Sequence, residues 1–219
     1  MHLIADKLQQ YDTLTQNFLV HASCIGSEFS LKTLELIGHF PKDISRMIND
    51  GFLSPTDGSG DSFKFTHEHV KQAIFSLDPP ENKKFIYFCI GHSLWKRSSD
   101  EELEENLFLV VNMLNLAQGQ LETIEKKDVA TLNLRAAEKC IKLTAFQIAL
   151  DFLVAGMKLL DNENMWSIDY DLTLKHYQLA KKTFYSVMDC GKMMSYDDTL
   201  VKHAKSEYDT IPSCALQMW

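Results

Sequence analysis

The segment Thr66-His67-Glu68-His69 holds the residues whose types and spacing could do chemistry in this chain. His67 is placed at the start of a predicted helix, where unpaired backbone amides attract anions. Thr66 is predicted to cap that helix with its hydroxyl, and a negative charge at Glu68 favours the same helix end. The pattern therefore predicts an anion contact at His67. Sharing of a metal with His69 is disfavoured, because residues two apart on a helix do not face each other.

A short strand and a helix must position these side chains. Residues 62–65 alternate polar and aromatic, which predicts a half-buried strand. The helix that follows carries one apolar stripe at the spacing i, i+3, i+4 and i+7, formed by Val70, Ala73, Ile74 and Leu77. The sequence thus predicts a strand that turns directly into a helix, with His67 at the junction.

The segment FKFTHEHVKQAIFSL, residues 63–77, resembles the end of the winged-helix subdomain of signal-transduction ATPases of the AAA/STAND type. The likeness extends to large multidomain sensor histidine kinases and serine-threonine kinases that contain such a module. By this resemblance, His67 contacts the phosphates of bound ADP and holds the off state. Glu68 stands where the family has Asp. The resemblance thus implies nucleotide sensing by His67 and Glu68, with ATP or ADP and Mg supplied by an ATPase module elsewhere.

Three interpretations of His67 stay open from the sequence. It is a surface or half-buried histidine bonded to Glu68 or to a backbone carbonyl, a nucleotide sensor acting in trans, or part of a metal site with His69. We predict no metal ligand and no catalytic residue, because the chain has no Walker-type phosphate loop, no kinase signature and no Cys/His cluster. We therefore expect no enzymatic activity and no cofactor in this chain alone.

Residues 1–97 are predicted to form a winged-helix-like domain. Helices are expected to start at Asp12 or Thr13, with Leu14 facing inward, at Ser30 and near Pro41. A hairpin follows, with its turn at 57–60. The last helix of the domain, 81–97, is predicted to pack through a side that consists of Phe85, Phe88, Cys89, His92 and Trp95. The segment HASCIGSEFSLKTLELI, residues 21–37, adds a second point of resemblance to the same family.

Residues 98–219 are predicted to form a helical domain that resembles tetratricopeptide repeats. Its best unit is LNLRAAEKCIKLTAFQIALDFLVAGMKLL, in which small residues let paired helices approach closely. An ordinary helical hairpin would share much of this pattern. LFLVVNMLNLAQ and YDLTLKHYQLAKKTFYSV extend the resemblance to the kinase family as far as about residue 195, and it fades beyond Tyr196. The tail YDTIPSCALQMW, residues 208–219, has no organised pattern, so we expect it to fray.

Charge and composition limit the classes of partner. The net charge is −8, which divides into −3 over residues 1–95 and −5 over 96–219. Neither part has the basic footprint that nucleic-acid binding needs. Five scattered cysteines predict a reducing, cytoplasmic compartment, and no apolar run predicts a membrane span.

The sequence thus predicts a mainly α protein with two domains, a winged helix and a tetratricopeptide-like region. We expect a non-catalytic sensor segment of a signalling ATPase or histidine-kinase system, which contacts a partner or a linked ATPase or kinase module. The alternative is a freestanding helical-repeat adaptor with a structural winged-helix cap.

Overall fold

The computed structural model describes residues 2–38, 43–56, 58, 60–160 and 164–210. The chain is mainly helical and divides into two compact units, residues 1–120 and 121–219. This division differs from the boundary at 97/98 expected from the sequence, since residues 98–120 belong to the first unit.

The first unit contains a small sheet among helices of unequal length. Its elements are α1 His2–Leu8, α2 Thr13–Ile25, β1 Glu28–Ser30, α3 Leu31–Leu36, α4 Ile44–Asn49, β2 Leu53–Pro55, β3 Ser62–Phe65, α5 Glu68–Phe75, α6 Pro80–Arg97, α7 Asp100–Glu105 and α8 Leu107–Leu116, followed by a 3₁₀ turn, Gln118–Gln120.

The sheet is antiparallel with the strand order β1-β3-β2. The hairpin of β2 and β3 agrees with the sequence pattern, whereas no strand was expected at residues 28–30. β1 joins the sheet because Phe29 lies opposite Phe63 and packs its ring 5.7 Å from Phe65 and 6.0 Å from Phe18. β3 thus has a partner strand on each side, and its two aromatic residues are buried in the core of this unit.

Helix starts in the first unit follow local capping chemistry. The Asp12 carboxylate accepts from the Thr15 amide at 2.7 Å, and the Ser30 hydroxyl accepts from the Thr33 amide at 3.1 Å. The prediction that Leu14 faces inward is wrong, since 60% of it is exposed. The predicted start at Pro41 lies outside the described residues, as do Asp57 and Ser59 of the predicted turn.

Helix α6 packs through a different side from the one we predicted. Its buried residues are Ile86, Ile90, Gly91 and Leu94, while Phe85 is 59% exposed. The other four members of the predicted side, Phe88, Cys89, His92 and Trp95, are half-buried. Gly91 decides the orientation, because a Cβ atom there would lie 2.9 Å from Leu114 Cγ on α8. The absence of that atom lets α6 and α8 approach closely, so α8 joins the first unit.

The second unit is built from helical hairpins. Its elements are α9 Thr123–Lys142, α10 Phe146–Leu159, α11 Met165–Ile168, α12 Tyr170–Ser186 and α13 Cys190–His203, followed by a 3₁₀ turn, Glu207–Thr210. The small and medium side chains expected between the paired helices are buried: Ala136, Ala137, Cys140, Ala149, Leu153 and Gly156. This part of the sequence prediction is confirmed.

A histidine is fully buried where α12 packs against α9 and α10. His176 Nδ1 lies 2.9 Å from the Leu172 carbonyl oxygen. Its Nε2 faces Gly156, where a Cβ atom would be only 2.4 Å away. The Ala130 carbonyl is nearby, but within the described residues Nε2 makes no hydrogen bond of acceptable geometry. Burial lowers the pKa of His176, against the opposing effect of the Leu172 and Ala130 carbonyls.

The two hairpins turn in the same way at 143–145 and 187–189. Thr144 and Met188 have φ of 60° and 59°. The preceding residues have φ of −88° and −94°, and each following residue has φ of −86°. In each turn the amide after the positive-φ residue donates to the carbonyl five positions back, at 2.9 Å and 3.0 Å. Both turns are Schellman motifs that carry a side chain where glycine is usual.

Thr144→Gly should stabilise the chain. A β-branched residue in the left-handed region destabilises the folded state by about 1–2 kcal/mol, and glycine removes this strain. Part of that stabilisation is lost again, because glycine also makes the unfolded chain more flexible. We expect a net increase of about 0.5–1 kcal/mol in the free energy of unfolding, measured by chemical denaturation. Thr131→Gly, the same change on the exposed face within α9, should destabilise instead. A loss of stability in both variants would contradict this account.

The chain remains organised beyond residue 196, where the resemblance fades, and into the first residues of the tail that we expected to fray. The Tyr170 hydroxyl donates to Asp209 Oδ2 at 2.7 Å, although 39 residues separate the two. The amides of Lys205 and Ser206 donate to the same oxygen, each at 2.9 Å. Gln178 Nε2 donates to the Asp209 carbonyl, also at 2.9 Å. The segment up to Thr210 is therefore fastened to α12, and residues 211–219 lie outside the described part.

Candidate functional site

His67 lies where β3 ends and α5 begins, as the sequence predicted. Its backbone is extended, with φ −145° and ψ 147°, and its carbonyl accepts from the amides of Val70 and Lys71 at 3.0 and 3.3 Å. His67 is thus itself the N-cap residue. The prediction that Thr66 caps the helix is wrong, because its hydroxyl donates to the Gly51 carbonyl at 2.6 Å. That contact joins the junction to the turn just after α4. The His67 side chain is exposed.

Glu68 is held in place by three neighbours. Its carboxylate accepts from Ser27 Oγ at 3.1 Å and from Gln72 Nε2 at 3.1 Å, and Lys71 Nζ lies 3.5 Å away. Lys71 Nζ also donates to Ser27 Oγ at 3.2 Å. These contacts lower the pKa of Glu68, the Gln72 hydrogen bond most and that of Ser27 next. The carboxylate is therefore charged at neutral pH and connects α5 to the residue before β1.

The site offers an exposed imidazole beside a surface ion pair. The Lys71 ammonium partly compensates the Glu68 charge near His67. His69 is also exposed, one residue into α5. Within the described ranges, no three His, Cys, Asp or Glu residues come together in a way that could hold a metal ion. The His67 and His69 side chains thus both face solvent at the start of α5.

Comparisons with known proteins add no family assignment, since no protein-family model, curated protein or solved structure matches this chain. The resemblance to signalling ATPases therefore stays a prediction.

Two clefts lie outside the predicted site. The one in the first unit has a volume of about 360 Å³, and its lining joins Asp78 and Glu81 to the exposed ring of Phe85. The one in the second unit, about 380 Å³, is lined by Lys126, Lys127 and Lys158 among others. Sequence reasoning missed both, because each lining joins residues of different helices that share no local motif.

The lysines of the second cleft are already partly neutralised. Lys127 Nζ lies 2.8 Å from Asp169 Oδ2. This hydrogen bond lowers the pKa of Asp169, helped by the Leu172 amide, and raises the pKa of Lys127. Asp169 also caps α12 through that amide at 3.0 Å. The pair is thus a structural contact between α9 and α12.

The described cysteines outside α13 behave as packing residues. Cys24 and Cys140 are buried and Cys89 is half-buried. Burial raises the pKa of all three thiols, that of Cys24 to about 11. A thiol that stays protonated is a poor nucleophile.

Among the helices of the described residues, none is both long and apolar enough to cross a lipid bilayer.

Proposed function

We propose that this chain is a non-catalytic regulatory segment of a signalling ATPase or histidine-kinase system. It relays nucleotide state or effector binding through contacts with other protein modules. The observation that supports this proposal is the exposed His67 at the start of α5, beside a Glu68 fixed by Ser27, Lys71 and Gln72. An exposed imidazole at the start of a helix is suited to sensing a phosphate held by a neighbouring module.

The nucleotide and its magnesium belong to that neighbouring module in this proposal. The chain has no phosphate loop of its own, so its ATPase or kinase partner is either a separate protein or a covalently linked domain. The first unit carries the winged-helix role, and the hairpins of the second unit carry partner or effector contacts. No nucleic acid or membrane is involved, and the expected location is the cytoplasm.

A second candidate is a freestanding helical adaptor in which the first unit is only a structural cap. The matching turns at 143–145 and 187–189 favour it, since stacked hairpins of one design provide an extended protein-binding surface. In this alternative, the surface of the second unit recognises the partner and His67 has no role.

A variant pair separates the two candidates. The full chain, His67→Ala and His69→Ala would be used to capture ATPases from lysate with ADP and magnesium present or removed. We expect ADP-dependent capture of a P-loop ATPase, reduced about tenfold or more by His67→Ala through the loss of a charge-assisted hydrogen bond. The neighbouring exposed His69 is the control and should leave capture unchanged. Capture that depends neither on ADP nor on His67 would favour the adaptor candidate and contradict the sensor candidate.

A further inference from the structure

The cleft of the second unit brings three lysines together. It has a volume of about 380 Å³ and lies where the beginning of α9 meets the end of α10 and the end of α11. Lys126 and Lys127 line it from α9, and Lys158 lines it from the last turn of α10. We call these three residues the lysine cluster. Because like charges repel, a negatively charged occupant of this cleft would stabilise the lysine cluster.

One member of the lysine cluster already has an acidic partner. Lys127 Nζ lies 2.8 Å from Asp169 Oδ2, so its charge is compensated within the fold. Lys126 is half-buried and Lys158 is exposed, and within the described residues neither of them forms an ion pair. Two positive charges in the described part of the cleft are therefore left for a ligand.

The acidic residues at the start of α9 are engaged with the helix backbone. The Glu122 side chain accepts from the Glu125 amide, and Glu125 Oε2 accepts from the Glu122 amide at 3.2 Å. This reciprocal capping uses both carboxylates to satisfy amides that the first turn leaves unpaired. They thus stabilise α9 itself, and Lys126 and Lys158 keep their charge available.

The rest of the lining is partly apolar. Leu159 and Leu160 are buried, whereas Ile168, at the end of α11, is 56% exposed. Thr123, the first residue of α9, adds a hydroxyl group. A cationic side next to an apolar side suits an organic anion better than a bare ion. The volume is near the lower end of the range for small-molecule sites, about 300–1,000 Å³, so the ligand should be small.

We infer that this cleft binds a small phosphate monoester, with its phosphate group at Lys126 and Lys158 and its organic group against Ile168. Such a phosphate carries a charge of about −1.5 to −2 at pH 7, which matches the two uncompensated ammonium groups. Lysine binds phosphate as a compact point charge, whereas a carboxylate is best matched by the planar fork of arginine. The described lining contains lysines and no arginine.

The test is isothermal titration calorimetry of the full chain with phenyl phosphate at low ionic strength. We expect one equivalent to bind, and Lys126→Gln and Lys158→Gln should each weaken binding about tenfold or more, because each removes a charge-assisted hydrogen bond. Lys142→Gln, at the exposed opposite end of α9, is the matched control and should bind like the parent. His67→Ala should also bind like the parent, so this test stands apart from the sensor proposal.

Two further ligands test the chemical class. Benzoate carries the same ring on a carboxylate, and inorganic phosphate lacks the ring, so both should bind more weakly than phenyl phosphate by about tenfold or more. Benzoate that binds as tightly would contradict phosphate recognition, and inorganic phosphate that binds as tightly would reduce the cleft to a general anion site. No binding of phenyl phosphate to the parent, or equal affinity in all three lysine variants, would overturn the inference. Circular dichroism on each variant confirms that the helices are retained.

Discussion

Gly156→Ala should destabilise the second unit by about 2–3 kcal/mol, because overpacking of a filled core costs about that much. The added methyl carbon would lie 2.4 Å from His176 Nε2 and 3.1 Å from Asn133 Cβ. Both neighbours are fully buried, and a Cβ atom cannot rotate away. Chemical denaturation would measure the loss through Trp166 fluorescence, in a background of Trp95→Phe and Trp219→Phe.

The same substitution at Gly191 is the matched control. A Cβ atom there would meet no atom closer than 3.8 Å, within the first turn of α13. Gly191→Ala should therefore leave stability unchanged or raise it by up to about 1 kcal/mol through helix propensity. Gly156→Ala combined with His176→Ala should cost less than the two single changes added together, since the second change removes the nearest obstacle. Additive costs would show that His176 is not what Gly156 accommodates.

The stability of the second unit should fall as the pH drops below about 6.5. Burial lowers the pKa of His176 from its ordinary value of 6.5. Below that value the unfolded chain binds a proton that the folded chain does not, so protonation favours unfolding. The free energy of unfolding should decrease by up to about 1.4 kcal/mol per pH unit, until the pKa of the folded state is reached. Above pH 6.5 this histidine should contribute no pH dependence.

Denaturation of the parent, His176→Gln and His69→Ala at a series of pH values tests this linkage. His176→Gln should lower the free energy of unfolding at every pH. It should also remove most of the dependence of that free energy on pH between pH 5 and 6.5. His69 is exposed, so His69→Ala should retain the parent slope. Equal slopes in all three proteins would mean that another group causes the pH dependence.

Sequence reasoning succeeded where the determining contacts are local. Asp12 and Ser30 cap helices through residues three positions ahead, and a short pattern is enough to reveal them. It failed on α6, where the aromatic side and the side with Ile90 are both spaced as one face of a helix. The choice between them depends on Gly91 and its contact with α8, which no local pattern contains.

The same difference between local and distant contacts applies to the candidate site. The position of His67 at the junction of β3 and α5 followed from alternation and apolar spacing. The partners of Glu68 did not, because Ser27 is 41 residues away in the sequence. Likewise β1 needed β3 as a partner before it could be a strand. The burial of His176 depends on three helices at once.

The hydrogen bonds around Asp209 affect how the end of the second unit opens. They join the beginning of α12 to the last described turn across 39 residues and so enclose α13 in a loop. The entropy cost of closing such a loop grows only with the logarithm of its length, so a few polar contacts can hold it shut. Opening of α13 therefore requires release of Asp209 or loss of the whole hairpin. In hydrogen exchange this segment should behave as one cooperative unit, in contrast to an end that frays residue by residue.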